Sequence, residues 1–295
     1  MDLKLLQFLK ENELRLGVKT AKGILDVKEA ADKFEKGVPV TLQEVILEGD
    51  EGVAKVNSLV NLALDNSRSE LFVSEETIHY APAVTNPEKI VCVGLNYIDH
   101  AKESKMDIPE YPLLFSKFNS ALAAHLETIA IPQEAKHMDY EAELVIVMGK
   151  TAKHVTEEEA LSYVFGYSVG NDVSARDLQF KSGQWLLGKT PDGFAPIGPY
   201  ITTSDEIDPN NLSIECRVNG EIRQKANTCD MIFNCAVLIS YISQYMTLRP
   251  GDLIYTGTPE GVTLGYPEGE QVWLKSGDEM VVTIESLGEL KNILK

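Results

Sequence analysis

The chain has 295 residues, 44% hydrophobic and 24% charged, with a formal net charge of −18. That balance suits a globular protein with one large core, or one core and a smaller companion. The acidity disfavours nucleic-acid backbones and anionic membrane surfaces as partners.

Taken in chain order, the N-terminal "MDLKLLQFLKENELRLG" is amphipathic and carries acids, unlike a secretory signal, and no apolar run approaches membrane-spanning length. "ELRLGVKTAKGILDV" predicts a short hairpin turning at Ala21-Lys22-Gly23, and "KEAADKFEKG" and "VAKVNSLVNLAL" have helical apolar spacing. "HYAPAVTNPEK" interrupts the periodicity with two prolines, so a small N-terminal α/β region over 1–85 and a main domain over 86–295 are expected.

From Lys89 the texture is β-rich. "KIVCVGLNY", "LETIAIP" and "YEAELVIVMG" predict strands, and Thr156 with Glu159 makes a capping box ahead of a helix. "YSVGNDVSARD" reads as a strand ending in a polar turn. "LSIECRVNGEIRQKAN" reads as a hairpin through Asn219-Gly220. "DMIFNCAVLISYISQYM" is the longest apolar helix candidate, stopped by the Pro250-Gly251 turn, and "VWLKSGDEMVVTIESLGEL" closes with two strands. There is no GxGxxG and no βαβ rhythm, so a mixed, mostly antiparallel α+β fold is expected rather than a doubly wound one. The cysteines (Cys92, Cys216, Cys229, Cys235) form no CxxC pair, which makes a reducing, cytoplasmic setting the default.

The chemistry concentrates in a few places. Glu141 and Glu143 share one face of their strand, followed there by Val145 and Val147. Two carboxylates leading into an apolar environment raise each other's pKa or require a cation, and oxygen-only ligation suits Mg²⁺, Mn²⁺ or Ca²⁺. A solvated strand end accounts for the same spacing. Asp172 ends another strand where a third oxygen can converge, although a turn or helix cap is its common role. His100 and Glu103, three apart in "GLNYIDHAKE", allow a carboxylate to orient an imidazole, or form a solvated surface pair. Lys189, in a Gly/Pro-punctuated loop, is either a surface lysine or a cation for a substrate carboxylate or enolate. Gly257 and Thr258 in "YTGTPEGV" either make a turn or offer donors to a carboxylate. His125, His137 and His154 have no such partner and are taken as structural, and Asp139 stays outside the proposed ion set.

In chain order, GLNYxxHAxE, ExE, NDVSARD and TGTPEGV resemble the fumarylacetoacetate hydrolase family over roughly 86–290, nearest its acylpyruvase-, isomerase- and decarboxylase-like members. The resemblance implies a mixed β-roll fold, a homodimer, and Mg²⁺ or Mn²⁺ held by Glu141, Glu143 and Asp172. It implies a His100–Glu103 dyad on a mobile segment, Lys189 on substrate oxygens, and Arg176, Gln179 and Thr258 around the substrate. Phe118, Ala124 with His125, and Thr263 depart from the family pattern near the site. The expected activity is metal-dependent chemistry on a small anionic 2-oxo or 1,3-dicarbonyl acid through an enolate, with hydrolytic C–C cleavage of an acylpyruvate the leading form. Oxaloacetate decarboxylation, dienoate isomerisation or tautomerisation, and a noncatalytic metal-binding role are the alternatives.

Overall fold

The computed structural model describes residues 3–66 and 68–295. Among these residues, one sheet runs through twelve strands and a second through five. In the large sheet, Ala142–Met148 lies between Val164–Asn171 and Leu253–Tyr255, antiparallel to both. Beyond Leu253–Tyr255 come Ile90–Gly94, in parallel, and Leu113–Lys117 at the edge. On the other side, Val164–Asn171 leads through Ala195–Thr203 to the N-terminal strands Lys4–Lys10, Glu13–Thr20 and Gly23–Asp26. The smaller sheet carries the hairpin Ser213–Val218/Glu221–Asn227 and the closing pair Glu279–Ile284/Gly288–Leu294. Most pairings are antiparallel, so the fold is the mixed α+β architecture that the strand spacing implied.

Alternation in the central strand divides the interior. Leu144, Ile146 and Met148 join a core with Ile214, Met280 and the Cys235–Tyr245 helix. Val145 and Val147 join a second core with Leu5, Val18, Ile201 and the helices Leu42–Glu48 and Asp50–Asp65. Burying each such side chain stabilises the fold by about 1.5–3 kcal/mol relative to exposure. The strand is therefore pinned on both faces, and its N-terminal end is a rigid mount for side chains.

The expected local devices are present. Thr41/Glu44 and Thr156/Glu159 both form capping boxes. Asn219 (φ 51°) and Gly220 (φ 82°) make the hairpin turn with both central residues left-handed, as a type I′ turn requires.

Candidate active site

Glu141 immediately precedes the central strand. Its N–H donates to Asn171 Oδ1 at 2.9 Å, and its carbonyl accepts the Asp172 N–H at 2.9 Å. These bonds carry the strand pairing one step past its regular end and bring Glu141 beside Asp172. Glu143 follows on the face of Glu141. One oxygen from each of Glu141, Glu143 and Asp172 lies within 4.8 Å of the others, and all three residues are buried.

Buried cations sit among these acids. Lys189 Nζ lies 2.9 Å from both Glu141 Oε2 and Asp172 Oδ2. Arg176 reaches Glu141 Oε1 through Nη1 at 2.7 Å and Asp139 Oδ2 through Nε at 2.9 Å, and Nη1 also donates to Gln179 Oε1. Lys117 pairs with Asp172 Oδ1 and donates to the carbonyls of Val173 and Phe194. Burial alone would push Glu141 up, but the charges of Lys189 and Arg176 hold its carboxyl well below the usual range. Burial, reinforced by Asp172 and Glu141, pushes Glu143 well above that range. Asp172 is also raised by burial, against the pull of Lys117 and Lys189.

Glu143 Oε2 accepts the Gly257 N–H at 2.9 Å, whereas Oε1 is buried with no hydrogen-bond partner among the described residues. An orphaned carboxylate oxygen beside two more carboxylates is an all-oxygen donor set that fits a hard divalent ion. Charge agrees with this fit. The buried cations Lys117, Arg176 and Lys189 face the buried acids Asp139, Glu141, Glu143 and Asp172, one negative charge in excess when all are ionised. A divalent cation would turn that excess into a local positive charge inside a chain of net charge −18.

His100 and Glu103 come from the short helix Ile98–Glu103, with Nδ1 of the ring 2.9 Å from Glu103 Oε1. Glu103 Oε2 accepts the Gly261 N–H at 2.9 Å. Gly265 packs so closely that a Cβ there would lie 2.4 Å from Glu103 Cδ. His100, Glu141, Arg176, Gln179, Lys189 and Thr258 all line one cavity of about 30 Å³. The structure thus brings together residues from five separate stretches of sequence. Gly257 stands apart from the other expected substrate contacts, because its amide is taken up by Glu143. Thr258 Oγ1 accepts from Gln224 Nε2 at 2.8 Å.

Three further participants are absent from the sequence-derived set. Lys117 neutralises Asp172, Asp139 anchors Arg176, and Gln224 links Thr258 to the Ala142 amide. Only Asp139 left a trace in the sequence, as the next acid down the alternation that selects Glu141 and Glu143. Of the departures from the family pattern, Thr263 is buried with its amide on Asp139, and His125 Nδ1 accepts the Lys291 N–H. Phe118 is exposed.

Among the described residues no helix is long and apolar enough to cross a membrane. The family profile described as fumarylacetoacetate (FAA) hydrolase C-terminal matches residues 89–295. A mitochondrial oxaloacetate tautomerase of Rattus norvegicus is 39% identical over 297 residues, covering 99% of this chain and 91% of the relative. The solved fumarylacetoacetate hydrolase of Exiguobacterium antarcticum superposes with a TM-score of 0.81 at 34% identity, covering 99% of each chain. A fumarylpyruvate hydrolase from Pseudomonas aeruginosa, solved with Mn²⁺ and pyruvate, gives a TM-score of 0.65 at 36% identity, covering 71% of this chain and 90% of that one. With the profile spanning its β-rich body and relatives aligned along nearly its whole length, the chain belongs to the fumarylacetoacetate hydrolase family.

Proposed function

We propose that the protein catalyses keto–enol tautomerisation of a small 2-oxo dicarboxylic acid of the oxaloacetate type, with a divalent metal held by Glu141, Glu143 and Asp172. The observation that carries this reading is the buried carboxylate trio, one oxygen orphaned, beside a cavity that also holds the His100–Glu103 pair. The tautomerase named above, similar along 99% of this chain, supports the choice among enolate reactions.

Mg²⁺ or Mn²⁺ in the trio would act as a Lewis acid, drawing electron density from a 2-oxo acid and lowering the barrier to enolisation. The protein's own groups do the rest. Glu103 holds Nδ1 of His100, which leaves Nε2 as the basic nitrogen. In the keto-to-enol direction, Nε2 takes a proton from C3 and the C–H electron pair forms the C2–C3 double bond. The carbonyl π pair moves onto oxygen, which Lys189 stabilises and which then takes up a proton to give the enol. The reverse sequence returns the keto form. Arg176, Gln179 and Thr258, which line the same cavity as His100 and Lys189, bind and orient the carboxylates.

Hydrolytic C–C cleavage is the second reading. It is favoured by the likeness to the fumarylpyruvate hydrolase and by a His–Glu pair that can equally deprotonate water. Both substrates are to be assayed with Mg²⁺ or Mn²⁺, following the enol absorbance of oxaloacetate and pyruvate release from an acylpyruvate. Accelerated enol loss with oxaloacetate otherwise intact supports tautomerisation, whereas stoichiometric pyruvate from the acylpyruvate without faster enol loss replaces it by hydrolysis. Glu141→Ala should abolish metal binding by calorimetry. His100→Ala should keep the metal and lose about 10²–10⁴-fold in turnover.

A further inference from the structure

We propose that Asp139 and Tyr140 are positioning residues that hold Glu103, and through it His100, in register with Glu141. Asp139 is fully buried and receives four donors: Arg176 Nε at 2.9 Å, and the N–H groups of Tyr140 at 3.0 Å, Thr263 at 2.8 Å and Leu264 at 3.0 Å. The Tyr140 hydroxyl donates to the Gly261 carbonyl at 2.8 Å. Two consecutive residues thus grip the 261–265 loop at Gly261 and at Thr263 and Leu264. That loop grips Glu103 in turn, through the Gly261 N–H at 2.9 Å and the bare α-carbon of Gly265.

The linkage has a definite geometry. Glu141 follows Asp139 and Tyr140 directly in the chain, so the loop's position is referred to the same backbone that places Glu141. Asp139 also fixes Arg176, whose Nη1 lies on Glu141 Oε1. The carboxylate trio comes from strand ends and the dyad from a short helix, and few covalent constraints relate the two. Asp139 supplies the missing constraint, since one carboxylate binds a guanidinium on the trio side and two amides on the dyad side. A misplacement of about 1 Å at a catalytic group can cost about 10²-fold in rate, so such a brace matters to turnover without touching substrate.

The kinetic arm of the test rests on the tautomerase reading, and the exchange arm does not. In the 295-residue chain, Asp139→Asn leaves one acceptor oxygen where two served three loop and guanidinium donors. Amide hydrogen exchange in 98–104 and 261–265 should accelerate about tenfold, with 164–171 unchanged. Turnover should fall about tenfold or more, by a larger factor than any rise in KM that follows from loosening Arg176. Tyr140→Phe, which removes only the hydroxyl, should shift the same segments in the same direction by about threefold, and it carries the test if Asp139→Asn fails to fold. Adding Asp139→Asn to Glu103→Gln should cost clearly less than the product of the two separate losses, the remainder being the share that Asp139 exerts through Arg176. Exchange in 98–104 that is unchanged, or raised evenly along the chain, overturns the proposal, as does full additivity of the two substitutions. A wild type inactive on oxaloacetate defeats the proposed function, and the exchange pattern still decides the brace.

Discussion

Glu143 occupies a position that its ionised form tolerates poorly without a countercharge. Burial, Asp172 and Glu141 raise its folded-state pKa above the ordinary 4.5, so at intermediate pH the folded chain keeps a proton that the unfolded chain has released. Its contribution to stability is therefore full below 4.5 and is lost as pH rises through the raised value. Glu143→Gln removes that loss. The metal-free variant should melt above the metal-free wild type near neutral pH, with the gap closing toward 4.5, whereas added Mg²⁺ should raise the melting temperature of the wild type alone. Paired calorimetric scans across that range check the prediction, and a variant that melts lower at neutral pH while still binding Mg²⁺ would contradict it. At this scale the sequence was legible where chemistry follows a short period. Alternation along one strand put Glu141 and Glu143 on one face, and helical spacing joined His100 to Glu103. Lys117 was not legible. A lysine between Ser116 and Phe118 on an edge strand looks solvated, and only the sheet order that carries its ammonium to Asp172 makes it a buried partner.

The turn after Leu253–Tyr255 shows how an element rather than a side chain can hold a ligand in place. Gly257 has φ +97°, and a Cβ there would lie 2.6 Å from Asn96 Cβ and 3.0 Å from the Val93 carbonyl. Its N–H is the donor on Glu143 Oε2. Asn96 closes the same corner, donating to the carbonyls of Phe233 and Thr256. Gly257→Ala therefore combines a strained left-handed alanine with displacement of that corner. It should destabilise the protein by about 2 kcal/mol or more and weaken metal affinity by about tenfold or more. Urea unfolding and calorimetry test the two halves, and intact affinity in a destabilised protein would separate the turn from the ion site. Elements with local signatures were readable in advance: the Asn219-Gly220 hairpin, the Thr156/Glu159 cap, and the apolar Cys235–Tyr245 helix. Their arrangement was not. Ala142–Met148 takes one neighbour from Leu253–Tyr255, more than a hundred residues away, and nothing local encodes which distant strand completes a two-sided apolar surface.

For the whole molecule, the open question is whether the break in periodicity near residue 85 separates parts that fold independently. We propose that it separates chain segments rather than stable units. Lys4–Lys10 pairs with Ala195–Thr203 through Leu5↔Ile201, so the large sheet runs across the break. Leu5, Val18, Val45 and Leu59 share one core with Ile197, Ile201, Tyr255, Val145 and Val147, the last two lying directly behind Glu143 on its strand. A chain cut to 86–295 would leave that surface facing water and create a new sheet edge at Ala195–Thr203, and both are aggregation hazards. It would also free the apolar continuation, Val145 and Val147, of the strand face that mounts the carboxylates. The truncated chain should associate on size-exclusion chromatography, unfold without a cooperative urea transition, and bind Mg²⁺ at least about tenfold more weakly than the full chain. A monodisperse, cooperatively unfolding 86–295 with undiminished Mg²⁺ affinity would restore the two-domain reading. The expected result instead makes the N-terminal region part of the ion site's support, acting through the packed face of a single strand.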